Sequence, residues 1–412
     1  MEANPAVALF LALGIIITAS RIGGAVARYF KQPRVLGELV IGVLLGPTLL
    51  NLLHWDIFHN IELEETIKEL AELGVLILMF IVGLEVNVKE LVKVGKIGVL
   101  GGVLGALLPV GMAVPVVMMF DYAWQPALFA GVTLAATSVS ISAQVLLELG
   151  FLRTREGNAL LATALIDDVL AILLVSLTIA IISGGGEAEA VNVSELIVIV
   201  ARMTIYVTAA FGVAWFIVPR FMHWLALQPA LHQSYGIPAV ALVLMLLFGW
   251  SAEELGGVAT ITGAFIVGVG LTRTREHIRE EIEEATSAIA YSFLVPIFFI
   301  DVGLETDLST FPMDAIPFAL LLLAIAVASK IGGCGLGAKL GGFTNVESLR
   351  VGVCMISRGE VGLIIASLGL SAGVFTSDAP IFASLFLVIV LTTLITPILV
   401  RQVFPRRVKE KF

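Results

Sequence analysis

Long apolar segments alternate with short polar ones along almost the whole chain. Each apolar run is about 20 residues long, the length a helix needs to cross a bilayer core of roughly 30 Å. Clusters of charge, proline or glycine separate the runs. The pattern predicts thirteen membrane-spanning helices, here called spans 1 to 13, near residues 6–26, 34–53, 70–86, 97–119, 126–149, 156–183, 195–219, 235–251, 256–272, 285–304, 314–338, 346–372 and 380–403.

Composition extends this reading to the whole chain. Of its 412 residues, 58% are hydrophobic and only 14% are charged, whereas a soluble domain carries about 25% charged residues. We therefore expect an all-α polytopic membrane protein, with residues 1–412 forming a single membrane domain and little soluble mass. The net charge of -9 belongs to the loops, so nucleic acid is not an expected ligand. Cys334 and Cys354 both fall in apolar stretches, which disfavours a disulfide framework or a zinc site, and no cofactor is predicted.

The distribution of basic residues predicts the orientation of the spans, because Lys and Arg collect on the cytoplasmic side. After even-numbered spans only Lys68 is found. This alternation predicts an outside N-terminus and a cytoplasmic C-terminus in the cell (inner) membrane. Basic residues follow the odd-numbered spans, among them Arg28, Lys31, Lys89, Lys93, Arg153, Arg220, Arg273, Lys339 and Arg401.

The two halves of the chain share short motifs that indicate an internal repeat. Gly83-Leu84-Glu85 matches Gly303-Leu304-Glu305, and Gly131-Val132 matches Gly352-Val353, at offsets of 220 and 221 residues. Seven spans separate each matched pair, so the two copies would face opposite ways. We therefore predict two inverted-topology repeats, at about 6–183 and 235–403, joined by a linker helix at about 195–219. Inverted repeats are the plan of many secondary transporters, whose sites lie at the repeat interface near the midplane.

A small set of ionisable residues lies inside predicted spans, where a charge costs about 2.5–3.5 kcal/mol on insertion scales. Asp167 and Asp168 are adjacent in span 6, and Lys330 lies in span 11. Consecutive helical residues point about 100° apart, so the two aspartates would have different partners. A buried lysine needs a counter-charge, and we expect one of the two aspartates to supply it.

Spans 5 and 12 carry polar groups that suit broken helices better than continuous ones. Span 5 contains Thr137 and Ser138, and span 12 contains Arg358 and Glu360. Helices interrupted at mid-membrane leave carbonyl and amide ends facing a polar cavity. The hydroxyls and carbonyls of span 5 are suited to dehydrate a small cation beside a carboxylate. Arg358 and Glu360 are expected to compensate each other and the opposed helix ends.

Such a site would hold protons or a small cation, but not both at full strength. If only occupied states cross the membrane, proton entry is coupled to cation exit. The residues thus predict a secondary active transporter, not an enzyme, that exchanges a monovalent cation for protons by alternating access.

Several of these motifs resemble one known family. The stretches 32–38 (Gln-Pro-Arg-Val-Leu-Gly-Glu), 74–85, 136–138 (Ala-Thr-Ser), 167–168 (Asp-Asp) and 357–360 (Ser-Arg-Gly-Glu) look like the membrane domain of the monovalent cation:proton antiporter-2 family. The resemblance covers essentially the whole chain. The adjacent aspartates, together with Lys330, look most like the electrogenic bacterial sodium/proton antiporters.

The resemblance implies a role for each site residue. Asp168 would be the main cation and proton ligand, and Asp167 would pair with Lys330. Thr137 and Ser138 match the unwound crossing that lines the site, so that the transported cation would meet these two residues and both aspartates. Arg358 and Glu360 match the counterpart crossing.

The resemblance also implies the larger assembly. The family fold implies a homodimer, with spans 4 to 6 and 11 to 13 (about 97–183 and 314–403) as the moving core. Dimerisation and scaffold spans would lie at about 6–86 and 235–304. Sodium is the favoured ion, with lithium also accepted. A potassium/proton antiporter of the same family, a sodium-coupled organic-anion symporter on a similar fold and a gated ion channel remain the alternatives.

Overall fold

A computed structural model describes residues 5–58, 61–183, 193–228, 235–307, 311–371, 373–375 and 380–404. Within these ranges every regular element is helical. The α-helices, in chain order, are α1 (Pro5–Tyr29), α2 (Arg34–Leu45), α3 (Ile61–Glu85), α4 (Val88–Lys93), α5 (Gly95–Met118), α6 (Trp124–Ala135), α7 (Val139–Leu149), α8 (Arg155–Ser183), α9 (Val193–Phe216), α10 (Val218–Leu225), α11 (Gly236–Ser251), α12 (Thr260–Leu271), α13 (Glu276–Ile289), α14 (Val295–Leu304), α15 (Ile316–Leu340), α16 (Asn345–Cys354), α17 (Gly359–Ser371) and α18 (Pro380–Val403). The all-α prediction is therefore confirmed for the described chain.

Nine segments of the described chain are long and apolar enough to cross a membrane. The other four predicted spans take different forms. The span at 34–53 contains the 12-residue α2, and the span at 70–86 is the apolar part of the longer α3. The span at 256–272 contains the 12-residue α12, and 346–372 is divided between α16 and α17. The number thirteen stays a prediction.

The described chain separates into two compact units, and each unit takes helices from both halves of the sequence. The first unit comprises the described residues of Met1–Val86 and Arg202–Ser309, and the second those of Asn87–Ala201 and Thr310–Phe412. Neither unit is therefore one of the two predicted repeats. One boundary falls just before α4 and another inside α9.

The first unit is held together by helix packing and by polar contacts at helix ends. Helices α2 and α3 both pack against α14, and α3 also packs against α12. The buried carboxylate of Glu38 accepts hydrogen bonds from Ser20 Oγ at 2.8 Å and Arg34 Nε at 2.6 Å. The Arg202 guanidinium donates to the carbonyls of Glu254 and Leu255 in a π-helical turn after α11. These contacts satisfy charges and helix ends that water would otherwise have to solvate.

The second unit has the same order of helices in each of its two chain segments. A long helix (α5 or α15) precedes an interrupted one (α6–α7 or α16–α17), and another long helix (α8 or α18) follows. Helix α5 packs against α6, α8 and α15. Glycines allow the α5–α15 approach, because a Cβ atom placed at Gly337 would lie 2.5 Å from the Cα of Gly101. This packing brings the middle of α15 to the middle of α8.

Candidate functional site

A buried ion pair joins two long helices of the second unit. Lys330 Nζ of α15 donates to Asp167 Oδ1 of α8 at 2.8 Å and to Oδ2 at 3.1 Å. Both side chains are 0% exposed. Removing two charges from water is costly, and only close pairing with good geometry offsets that cost. Two helices are therefore linked at a point where each would otherwise carry an unstable charge.

Asp168 has a different environment from its neighbour. It follows Asp167 on α8, and its side chain is partly exposed, whereas Asp167 is fully buried. The 100° turn between consecutive helical residues produces this difference. One aspartate is thus bonded to Lys330, and the other has a partly exposed side chain that faces a different direction.

Two interrupted helices meet within the second unit. Helix α6 ends at Ala135 and α7 begins at Val139, with extended backbone at Ala136 and Ser138. Helix α16 ends at Cys354 and α17 begins at Gly359. The interruptions fall at the polar residues singled out in spans 5 and 12. They leave helix ends without intrahelical partners in the interior of the unit.

Hydrogen bonds connect the two interruptions directly. The Ser138 N–H donates to the Ser357 carbonyl at 2.9 Å, and Ser357 Oγ donates to the Ser138 carbonyl at 2.6 Å. Ser142 Oγ donates to the Cys354 carbonyl at 2.5 Å. Each break therefore satisfies part of the backbone that the other break exposes. Neither Ser142 nor Ser357 was predicted from the sequence to have this role, although Ser357 belongs to the polar stretch 357–360.

Thr137 has a buried hydroxyl at the first helix break. Its side chain is 3% exposed, and its Oγ1 has no hydrogen-bond partner among the described residues. A buried hydroxyl without a partner is uncommon and costs free energy. The unpaired oxygen lies in the extended segment between α6 and α7, next to Ser138. The structure thus has a buried oxygen at this break whose bonding capacity is unused by the described chain.

Arg358 is fully buried beside the ion pair. Its guanidinium donates to the Ala326 carbonyl of α15 at 2.9 Å and to the Ile356 carbonyl, and it also interacts electrostatically with Asp167. Ala326 lies one turn before Lys330, so Arg358 ties the second break to the helix that carries the lysine. The Glu360 side chain lies outside the described part of the structure, and its pairing with Arg358 stays a prediction.

A further charged group, not predicted from the sequence to matter, lies in the first unit. Asp301, in α14, is partly exposed. Lys68 Nζ donates to Glu305 Oε1 at 3.0 Å, and both residues interact electrostatically with Asp301. The sequence does contain an indication of this group, because Asp301 is an ionisable residue inside the predicted tenth span.

Comparison with known proteins places this geometry in a family. The family model described as "Sodium/hydrogen exchanger, transmembrane" matches residues 13–404. The chain belongs to the sodium/hydrogen exchanger family. It is 34% identical to the Na⁺/H⁺-K⁺ antiporter GerN of Bacillus cereus over 397 residues, covering 96% of each chain. It is 33% identical to a Na⁺/H⁺ antiporter of Enterococcus hirae, covering 94% of this chain and 96% of that one.

The exchanger fold is also found among solved structures. The sodium proton antiporter MjNhaP1 of Methanocaldococcus jannaschii matches with a TM-score of 0.62 at 16% identity, over 96% of both chains. At that identity the match concerns the fold alone. Membership of the exchanger family makes this protein an integral membrane transporter and not an enzyme.

Proposed function

We propose that this exchanger moves sodium against protons by alternating access and that the exchange is electrogenic. The observation that carries the proposal is the buried Asp167–Lys330 pair, with a partly exposed second aspartate beside it on the same helix. Membership of the sodium/hydrogen exchanger family supports the exchange reaction itself. The residues of the second unit supply the charge chemistry.

In this proposal the four site residues on α6–α8 divide the work. Asp168 is the main ligand for the cation and for the proton that replaces it. Thr137 and Ser138 add oxygen ligands from the first break, which suits a hard cation that must lose water. Asp167 holds Lys330 while the site is empty and contributes a carboxylate when a cation displaces the lysine. Arg358 and Glu360 compensate the second break.

Competition for one set of carboxylates couples the two fluxes. A proton on Asp168 neutralises the carboxylate that the cation needs as a ligand. A cation bound to Asp168 in turn occupies the carboxylate that would accept the proton. In this proposal the site changes the side of the membrane to which it opens only when it is occupied. Each cation that leaves is therefore replaced by protons that enter. Release of the Lys330 proton during the cycle adds one proton to those that enter for each cation that leaves. More charge then moves with the protons than with the cation, which makes the exchange electrogenic.

The larger architecture completes the proposal. Inverted repeats at 6–183 and 235–403 place the two breaks at their interface. The core at 97–183 and 314–403 moves against a scaffold at 6–86 and 235–304 within a homodimer. The N-terminus lies outside and the C-terminus in the cytoplasm. The two interrupted helices and the buried ion pair in the second unit support this choice of core.

Potassium is the second candidate ion. The relative GerN is named as a Na⁺/H⁺-K⁺ antiporter and matches 96% of this chain. A site built from carboxylate and hydroxyl oxygens accepts either ion on chemical grounds, and cavity size decides the preference.

Proteoliposomes with an imposed proton gradient test the function. We expect sodium, and lithium at similar concentration, to dissipate the gradient at a rate that changes with an imposed membrane potential. Dissipation of the gradient by potassium but not by sodium would show that potassium, and not sodium, is the transported cation. Sodium-driven uptake of an organic anion without proton movement would make the protein a symporter, and dissipation by no monovalent cation would refute the proposal.

A further inference from the structure

We infer that Thr393, on α18, is a positioning residue for the cation site, which it serves by fixing the start of α17 against Ser138. The inference rests on the proposed function of Ser138 and Thr137 as ligands. Thr393 itself would not touch the cation.

The first contact is a hydrogen bond between two helices. The Gly359 N–H donates to Thr393 Oγ1 at 3.1 Å, and Thr393 is 3% exposed. Gly359 is the first residue of α17, and the first amides of a helix have no intrahelical acceptor. A buried amide left without a partner loses its hydration and gains nothing in return. The threonine hydroxyl therefore fixes the position at which α17 begins.

The second contact joins the start of α17 to the first helix break. Gly359 has a φ of +42°, and a Cβ atom placed on it would lie 2.8 Å from both Cβ and Oγ of Ser138. The backbone of Gly359 thus packs directly on the Ser138 side chain. Ser138 is in turn bonded through its own N–H and carbonyl to Ser357. A displacement of Gly359 must therefore move Ser138 or open a gap beside it.

The neighbouring threonines on α18 show that this role is specific to Thr393. Thr392 Oγ1 donates to the Val388 and Ile389 carbonyls, and Thr396 Oγ1 donates to the Thr392 carbonyl. Such bonds to carbonyls of the same helix are the ordinary behaviour of threonine within helices. Thr393 instead accepts a bond from another helix. The three residues are buried alike, so Thr392 provides a matched control.

The test compares Thr393→Val, Thr393→Ser and Thr392→Val in proteoliposomes containing the full chain. Valine preserves the shape of threonine without its hydroxyl, whereas serine keeps the hydroxyl. We expect Thr393→Val to raise the apparent KM for sodium about fivefold or more, the lower bound for an unpaired buried amide. Thr393→Ser should restore the KM to near the wild-type value, and Thr392→Val should leave it unchanged. An unchanged KM in Thr393→Val, or an equal rise in Thr392→Val, would overturn the inference.

Hydrogen–deuterium exchange of the same variants separates this inference from the proposed function. Thr393→Val should speed exchange in peptides covering 355–362 and 136–142, whereas Thr392→Val should not. If the wild-type protein exchanged no cation, the proposed function would fail, and these peptides would still report on the contact. Unaltered exchange in both peptides would show that Thr393 does not hold the two breaks.

Discussion

Replacement of Lys330 by methionine tests the buried ion pair most directly. Methionine approximates the length and volume of lysine, so the Lys330→Met variant removes the charge with little change in packing. Asp167 would lose both hydrogen bonds, at 2.8 and 3.1 Å, in a site where neither residue is exposed. Breaking a buried pair by removing one partner costs about 3–5 kcal/mol, which is roughly two to four orders of magnitude in an equilibrium.

The nearby Arg358 guanidinium limits the size of the response, because it offsets part of the charge that Asp167 keeps when Lys330 is removed. We therefore expect Lys330→Met to fold but to unfold at a lower temperature than the wild-type protein, since the buried Asp167 carboxylate has lost its lysine partner. With no lysine proton to release, its exchange should become insensitive to membrane potential.

The assay combines thermal unfolding with measurement of exchange at two imposed membrane potentials. Lys339→Met is a matched control, because Lys339 lies on the same helix and donates at 2.6 Å to Asn345 in an exposed contact. The double variant Lys330→Met, Asp167→Asn should regain part of the lost thermal stability, since it removes the carboxylate that Lys330→Met leaves without a lysine, while Arg358 keeps its carbonyl acceptors. Wild-type stability together with wild-type voltage dependence in Lys330→Met would refute the pairing argument.

Three further substitutions test the site and the packing around it. Asp168→Asn should abolish sodium-dependent exchange in proteoliposomes, and an active variant would remove Asp168 from its role as the main ligand. Gly359→Ala should weaken apparent sodium affinity about tenfold, because it combines a left-handed backbone with contact on Ser138. Gly373→Ala, with φ +69° and open space around it, controls for the backbone alone, and equal effects in the two variants would contradict the contact argument. Gly337→Ala should destabilise the protein by about 1–3 kcal/mol, seen as a lower unfolding temperature, because its Cβ would lie 2.5 Å from Gly101. Gly332→Ala meets nothing closer than 3.4 Å and should unfold near the wild-type temperature; equal losses in the two variants would count against close packing of α5 and α15.

The positions of the helix breaks illustrate how far sequence reasoning reached. Thr137, Ser138 and Arg358 are polar groups in apolar spans, and that contrast was sufficient to locate both breaks. It could not predict the bonds between the breaks, because Ser138 and Ser357 lie 219 residues apart. The compensation of Arg358 by Glu360 stays a prediction, but the structure adds two acceptors for Arg358, the carbonyls of Ile356 and Ala326. Every residue has a backbone carbonyl, whatever its side chain, so no sequence pattern could reveal which carbonyl accepts from Arg358.

The thirteen-span prediction shows the corresponding limit for the fold. Hydropathy identified the long apolar helices well, because every buried backbone group in a bilayer must be bonded within its own helix. Hydropathy does not decide whether short helices such as α2 and α12 belong to membrane spans, because 12 residues are too few to cross the bilayer alone. Their status depends on what packs around them.

The sequence by itself determined the class of the molecule and the location of its unusual charges. Composition required a helical membrane protein, and the 3.6-residue period required Asp167 and Asp168 to face different directions. Residue chemistry alone left open which aspartate meets Lys330; the family resemblance implied Asp167, and the tertiary structure shows that pair. Only the tertiary structure decided which hydroxyl receives the Gly359 amide. The physical reason is that a buried charge or amide needs a partner, but the choice of partner depends on which helices lie together. For Lys330 that choice follows from the close approach of α5, α8 and α15, which the glycines permit, and for the Gly359 amide it follows from the contact of α17 with α18.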